Sequence, residues 1–517
     1  MKKTKLIKKV VSIGLVGTML ATLLSGCSMG SQGGRGDLGE DDFTIWSSAL
    51  TPDSKFQDYT ESPFHQNLAK NVGKNLIWDF PTTGTDGGQA FNLMIAGGEL
   101  PDIIIHTLTD PQSYIDQGII LPLNEYIEGG KTPNLKKYLD EHPEIDKAIK
   151  TDNGDYYMFP WARNDDWLLV FRGPAVRKDW LEECGLEEPV TLKDYDKVAR
   201  AFHDKYGAKF ATVDDWFNEG FMSAFDTVRY FYLDDNGDVA YGPAEDNFRE
   251  YLEFLHKWYE DGILDKDLPS IDGDTLQKKI LNDEVGVTFT SGNTITKWQE
   301  ALEAAGSDAE WIGTSFPRKT ADATVQFSQM AGRISGLGGM ITSQCHDIEG
   351  ALKILDYAYG EEGYMFWNFG VEGDTYTMVD GEPVYTDKIM KSPDGVISAL
   401  GQNIGSQWSG PCIQDKRMYS QKSSKEVNDA IDKWAENTNV MAHQIPRVLA
   451  TQEETDRTSN IATTLGDYMK EMYFKFIQGQ VELNDENWDA YVKKLYDIGL
   501  QELIDVKTEQ VERFNNR

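Results

Sequence analysis

Cysteine is scarce: Cys27, Cys184, Cys345 and Cys412 are the only four in 517 residues, and no two form a C-x-x-C pair. That spacing supports neither a disulfide-stapled scaffold nor a structural zinc site. Positive charge is scarce too. Lys and Arg total 50 against 85 Asp and Glu, a net charge of −35, and beyond the first nine residues there is no basic footprint for a nucleic acid. Such a charge bears on solubility and leaves the sign of a ligand open. The seven histidines include no H-E-x-x-H arrangement, and no G-x-x-x-x-G-K-[ST] loop occurs. The one G-x-S-x-G-like match, Gly26 to Gly30, lacks the strand-to-helix setting of a nucleophile elbow. Adjacent acids such as Glu453-Glu454 are expected by chance among so many carboxylates. No catalytic residue, cofactor or metal ligand is therefore assigned, and no fixed-period repeat is found.

What is present begins with an export signal. Lys2, Lys3, Lys5, Lys8 and Lys9 precede a mostly apolar stretch, Val10 to Leu24, too short to span a bilayer comfortably, which ends in Leu24-Ser25-Gly26-Cys27. That ending resembles a bacterial lipobox. The resemblance implies removal of residues 1–26 and palmitate-type acylation of Cys27, several chains being needed for lasting attachment. Residues 27–40, rich in Gly and Ser, read as a flexible tether. With Cys27 lipidated, three cysteines remain, either as buried thiols or as one bridge and one thiol.

The body is too long for a single core, and its 40% hydrophobic and 11% aromatic content supports packed lobes. Its start reads as α/β. Phe43 to Trp46, Asn75 to Phe80 and Pro101 to His106 are strand candidates, and Phe91, Met94 and Ile95 share one face of a helix over Asp86 to Ile95. Ligands of such sheets lie beyond the carboxyl ends of the strands. Further along, the pattern predicts a strand over Leu168 to Phe171, a helix over Lys178 to Cys184, and a capped helix from Thr191 and Asp194. It also predicts a hairpin joining Tyr230–Leu233 to Val239–Tyr241, a helix over Asp246 to Glu260 with a core stripe, and a strand over Val285 to Thr290. Leu465 to Ile477 and Trp488 to Ile498 read as amphipathic helices, and the polar tail from Lys507 as frayed.

The hairpin turn, Asp234 to Asp238, partly fits a calcium loop, with Asn236, Asp238 and Glu245 at ligand positions. Position six is Val239, where such a loop needs glycine, so a plain turn is the reading. Asp265, Asp267, Asp272 and Asp274 likewise read as a solvated loop.

Three segments mix aromatic and polar side chains: Pro160 to Trp167, Phe366 to Asp374 and Gly405 to Gly410. A sugar presents an apolar face and a rim of hydroxyls, so it is recognised by flat rings beside donors and acceptors.

Several ordered segments resemble the extracellular solute-binding proteins, family 1, of bacterial ABC sugar importers. Leu93 to Ile104 is similar to the family's helix, Gly turn, Pro-Asp and apolar strand. Gly154 to Pro160 resembles G-K-x-Y-G-x-P, with Asp155 and Met158 as departures. Arg177 to Leu186 with Pro189-Val190-Thr191 is similar to R-K-D-W-L-x-x-x-G-L…P-x-T, and Tyr359 to Gly363 leading to Phe369 to Gly373 matches a fourth segment. The resemblance implies a two-lobed, periplasmic-binding-protein-like α/β fold with a hinge and ligand cleft. Its lobes would be discontinuous, 41–165 with 332–400 and 166–331 with 401–517. It implies an oligosaccharide receptor, a monomer, that delivers its ligand to ABC permease subunits from the outer face of a Gram-positive cell membrane. A peptide or other polar solute, or an exported carbohydrate-active enzyme, are the alternatives. Implied contact residues are Trp46, Trp161, Arg163, Asn164, Asp165, Trp167, Asn293, Trp367, Glu372 and Trp408. Replacing Cys27 by Ala should move the protein from the membrane fraction to the medium. Fractionation of producing cells checks this, and persistent tight membrane association would contradict the anchor.

Overall fold

A computed structural model of the chain describes residues 38–48, 61–82, 84–214, 220–407 and 409–517. The signal segment, Cys27, most of the tether and Trp408 lie outside the described residues. Two units are distinguished, Met1–Asp42 and Phe43–Arg517. Of the first, only its last residues are described, where the Gly39 amide donates to Asp42 Oδ2 at 2.7 Å. Among the described residues no helix is long and apolar enough to cross a membrane.

The strands, in chain order, are β1 (Asp42–Ser47), β2 (Asn75–Asp79), β3 (Ile103–Thr107), β4 (Phe159–Arg163), β5 (Arg172–Arg177), β6 (Lys209–Phe210), β7 (Phe231–Leu233), β8 (Val239–Tyr241), β9 (Val285–Ser291), β10 (Trp311–Gly313), β11 (Ile334–Ile341), β12 (Tyr376–Val379), β13 (Glu382–Tyr385) and β14 (Cys412–Gln414). Six form one mixed sheet in the order β14-β4-β11-β3-β1-β2, and four form a second, β10-β5-β9-β6. The α/β start is as the sequence implies. β1 and β3 run parallel with Ile45 opposite Ile103 and Ser47 opposite Ile105. The helix between β2 and β3, Gly87–Gly97, is capped by Asp86, which accepts from the Gln89 amide, and closed by Gly98 at φ 77°. β11 then pairs antiparallel with both β3 and β4. Its Gly338 lies so close to β4 that a Cβ there would meet the Phe159 carbonyl at 2.5 Å.

Each sheet carries its own core. Around the larger one pack Phe43, Ile104, Leu123, Phe159 and Met340; around the smaller, Val176, Phe202, Trp258, Val287 and Trp311. The helix Asp246–Glu260 buries the expected stripe Phe248, Tyr251, Leu252, Leu255 and Trp258. The helix Leu192–Tyr206 opens with a reciprocal Thr191–Asp194 capping box. The chain passes from the larger sheet to the smaller between β4 and β5 and returns between β10 and β11. It leaves again after β14, when the helix Lys425–Trp434 packs on β5 and β10. There the Trp434 ring occupies the space of the missing Gly173 side chain, 2.4 Å from where a Cβ would sit. The excursion back to the larger sheet thus extends to Gln414, beyond the Leu400 boundary drawn from the sequence.

Two local readings are corrected. Leu168 to Phe171 is not a strand: Asp165 Oδ1 accepts from the Trp167 amide at 2.8 Å and winds Asp166–Leu169 into a 3-10 turn before β5 begins at Arg172. The C-terminal tail does not fray either. Leu500–Asn515 is a helix that buries Val506 and Val511. Its last turn is pinned by Arg513 to Asp152, at 2.8 Å, and to Glu454, and by Arg517 to Asp152. Glu454 also caps the helix Gln452–Ile477 through Thr451, so this helix begins 13 residues before Leu465.

The β7–β8 hairpin forms, and Asp234 Oδ1 spends itself on the Asn236 and Asp238 amides at 2.8 and 2.9 Å. Glu245 accepts from the Tyr232 hydroxyl. The other acidic stretch divides its labour: Asp265 takes Lys279 at 2.9 Å, while Asp272 caps the helix Gly273–Leu281. Cys184 and Cys412 are unbridged thiols.

Asp102, fully buried, locks the larger sheet. It accepts from the Thr44 amide at 2.8 Å, the Thr44 hydroxyl at 2.7 Å and the His346 amide at 3.1 Å. Burial pushes its carboxyl up, but the Thr44 and His346 donors outweigh that and hold it below the usual carboxylate range. A depressed carboxyl stabilises the fold above the unfolded-state pKa, and that share fades as pH falls through the folded value. Asp102→Asn should cost about 2–3 kcal/mol in urea unfolding at neutral pH. It should also flatten the loss of stability seen below about pH 4.

Candidate ligand-binding cleft

At the carboxyl ends of β1 and β3 lies a narrow aromatic cleft whose cavity measures about 30 Å³. Ser47 and Ile105 form its floor. Just beyond, the Ser48 hydroxyl and His106 Nδ1 lie 2.6 Å apart. Burial lowers the His106 pKa against the opposing charge of Asp86. Trp78 and Phe80, two residues apart at the end of β2, project to the same side because side chains alternate along a strand. Their rings stack with centroids 5.7 Å apart and planes at 6°. His65 meets Trp78 edge-on at 4.5 Å, and Phe64 meets Trp367 edge-on at 4.9 Å. The far wall includes Gly405, Ser409 and Gly410. A Cβ on Gly405 would lie 2.4 Å from the Trp367 ring, and one on Gly410 2.8 Å from Trp161 Cβ, so glycine lets this backbone lie on both tryptophans.

The indole N–H groups of Trp78, Trp161 and Trp367 are all buried with no hydrogen-bond partner. Buried donors are nearly always paired, so three orphans around one cleft are unusual and costly, about 1–3 kcal/mol each. None of the described residues lining this aromatic cleft is Asp or Glu.

A second cavity, of about 370 Å³, lies where β5 begins and β9 ends, lined by Phe171, Arg172, Asn293 and Tyr419. Burial pushes the Tyr419 hydroxyl up, keeping it a donor. Arg163, at the end of β4, lies over Trp161 at 4.7 Å and acts electrostatically on Tyr419.

The residues singled out from sequence thus separate. Asn293 lines the second cavity with Tyr419, while Trp367 lines the aromatic cleft and Trp161 lies behind Gly410, both rings being buried in the larger core. Trp46 packs in the core on Phe91 and His106, at 5.8 and 5.7 Å. Trp167 is buried and donates to Asp432 at 2.8 Å. Asn164 donates to the Tyr364 hydroxyl at 3.2 Å, and Asp165 caps the 3-10 turn. Glu372 is elsewhere, exposed in a groove beside β12 with Glu361 and Tyr376. Sequence reasoning passed over His65, Trp78, Phe80, Arg172 and Tyr419. Only Trp78 and Phe80 left a trace, as alternate residues of an expected strand.

Residues 53–365 match the family described as bacterial extracellular solute-binding protein. The chain belongs to that family. It is 27% identical over 508 residues to the fructooligosaccharide ABC transporter substrate-binding protein FusA of Streptococcus pneumoniae, spanning 91% of this chain and 90% of that one. It is 25% identical over 413 residues to the lipoprotein LipO of Bacillus subtilis, covering 75% and 78%. Among solved structures, a solute-binding protein of Bifidobacterium longum infantis described as HMO-binding superposes with a TM-score of 0.71 at 17% identity, over 92% of this chain and 99% of that one. FusA in complex with kestose gives 0.66 at 22%, with coverage of 92% and 99%. These family members share a two-lobed fold, and the two sheets with their separate cores are its two halves here.

The burial of Trp167 gives it a structural role: Trp167→Ala should lower stability by about 3–5 kcal/mol in chemical denaturation. A variant as stable as the parent would place the ring outside the core.

Proposed function

We propose that the protein is an oligosaccharide receptor that binds its ligand without transforming it and passes it to ABC permease subunits. The observation that carries this is the family match over residues 53–365, with which the stacked Trp78 and Phe80 rings at the carboxyl ends of the strands agree. Stacked rings suit the C–H face of a sugar, and its hydroxyls are acceptors for the indoles. Membership of a solute-binding family and likeness to a fructooligosaccharide-binding relative support the same reading.

The lobes are assigned as Phe43 to about Asp165 with about Gly332 to Gln414, and the remainder, so that the three passages between sheets serve as the hinge. Closure by hinge motion brings Asn293 and Tyr419 of the second lobe towards Arg163 and the aromatic floor of the first and removes water, which strengthens every polar contact to the ligand. Arg163, Asn293, Trp161 and Trp367 keep their assigned contacts, joined by His65, Trp78, Phe80 and Tyr419. The receptor acts as a monomer held by acylated Cys27 on the extracellular face of a Gram-positive membrane.

A thermal-shift panel of oligosaccharides, monosaccharides and peptides tests this on the full chain. Oligosaccharides should raise the melting temperature and be recovered unchanged. Trp78→Ala should weaken calorimetric affinity by about 2 kcal/mol, roughly 30-fold. A response to peptides alone, or the appearance of shortened sugars, would overturn the proposal.

A further inference from the structure

The aromatic cleft is too narrow for the ligand class proposed above. Its cavity measures about 30 Å³, whereas a single water needs roughly 10–15 Å³ and sites that take whole ligands span about 300–1,000 Å³. A saccharide ring therefore enters only if part of the lining moves.

Most of that lining is held in place. Ser47 and Ile105 belong to strands locked in register, and Phe64, Trp367 and Ile404 are buried, Phe64 stacking on Phe366 with centroids 5.3 Å apart. The Gly405 amide donates to the Trp367 carbonyl at 3.1 Å, and the Ser409 hydroxyl donates to the Gly405 carbonyl at 3.2 Å, which fixes the far wall. The His65 ring is tied to the Ser62 hydroxyl at 2.5 Å, at the head of the helix Pro63–Val72. Trp78 packs against the larger core.

Phe80 differs from all of these. It follows the last residue of β2, is half-buried, and belongs to none of the hydrophobic cores. Its ring rests on the aromatic surface of the cleft itself, parallel to Trp78 to within 6° in an offset stack and edge-on to His65 at 5.8 Å. It thus covers flat indole surface of the kind that the C–H face of a sugar requires. Pro81 biases the Phe80 backbone towards an extended form, so rotation of the side chain between staggered positions is the movement that costs least.

We propose that Phe80 is a gate that occupies its own site: its ring holds the face of Trp78, and a saccharide ring takes that face by displacing it towards the mouth of the cleft. The inference rests on the oligosaccharide reading and adds to it the side chain that a ligand must dislodge. Selectivity follows from the exchange. A ligand that offers only an apolar face replaces one stack by another and gains little, whereas a saccharide adds the hydrogen bonds of its hydroxyls and gains entry.

The test sets the two stacked residues against each other. Kestose, maltotriose, xylotriose and trigalacturonate are titrated calorimetrically into the full chain, and the tightest binder of the four is carried through all variants. Phe80→Ala should bind it about two- to tenfold tighter, because the aromatic pair no longer has to be broken. Trp78→Ala should bind it roughly 30-fold more weakly. In the Trp78→Ala background the gain from Phe80→Ala should vanish, since no face is left to uncover. Melting curves establish that each variant folds, and Phe80→Leu, which removes the ring and keeps apolar bulk, stands in if Phe80→Ala does not. Unchanged or weaker binding by the Phe80 variant overturns the gate and leaves the oligosaccharide reading standing. So does a gain that persists without Trp78. Binding of none of the four saccharides by the parent chain overturns both.

Discussion

Asp102 sits at the point where β3 enters the larger sheet, and its carboxylate ties that entry to Thr44 of β1 and to His346 after β11. Three segments far apart in sequence are thereby held in one register. A carboxylate so deeply buried survives only because the donors around it outweigh the cost of removing its charge from water. The consequence is felt at the opposite end of the strands. With Ile45 fixed against Ile103, Ser47 and Ile105 emerge level with each other, and the cleft floor is flat enough for the stacked pair from β2 to stand beside it. A cleft at the carboxyl ends of parallel strands is the general place for a ligand in such sheets. Here the bond set that establishes it lies a strand's length away.

Above that floor the molecule depends on glycine as much as on aromatic surface. Gly405 and Gly410 let the backbone lie directly on Trp367 and Trp161, packing both indoles between strand ends and loop.

Much of the fold was legible because local and global preferences agree. The Phe248 to Trp258 stripe, the Thr191–Asp194 cap and the β1, β2 and β3 strands each combine the right period with the right end signals. The failures have physical causes. Leu168 to Phe171 is apolar enough for a strand, but the short reach of Asp165 to the Trp167 amide favours a turn. The tail is polar, yet its arginines find carboxylates hundreds of residues away, which no window of sequence reveals. The cleft was legible only as a region. A tryptophan amid polar residues looks alike whether it borders a cleft from within the core, as Trp367 does, or lies in the core alone, as Trp46 and Trp167 do. Tyr419 matters because β14 delivers the following helix to the start of β5, and nothing in its neighbours announces that. Glu372 had similar company in sequence, and the fold places it in a separate exposed groove.

The last turn of the chain has a mechanical meaning. Arg513 grips Asp152, which belongs with the larger sheet, and Glu454, at the head of a helix packed in the smaller one, while Phe514 rests against the larger core. The three covalent passages between the halves are thus joined by an ionic strut. Flexible side chains set its reach, and ionic strength sets its stiffness. Such a strut ties the two halves together without adding a fourth crossing of the backbone, and its hold weakens as salt screens it.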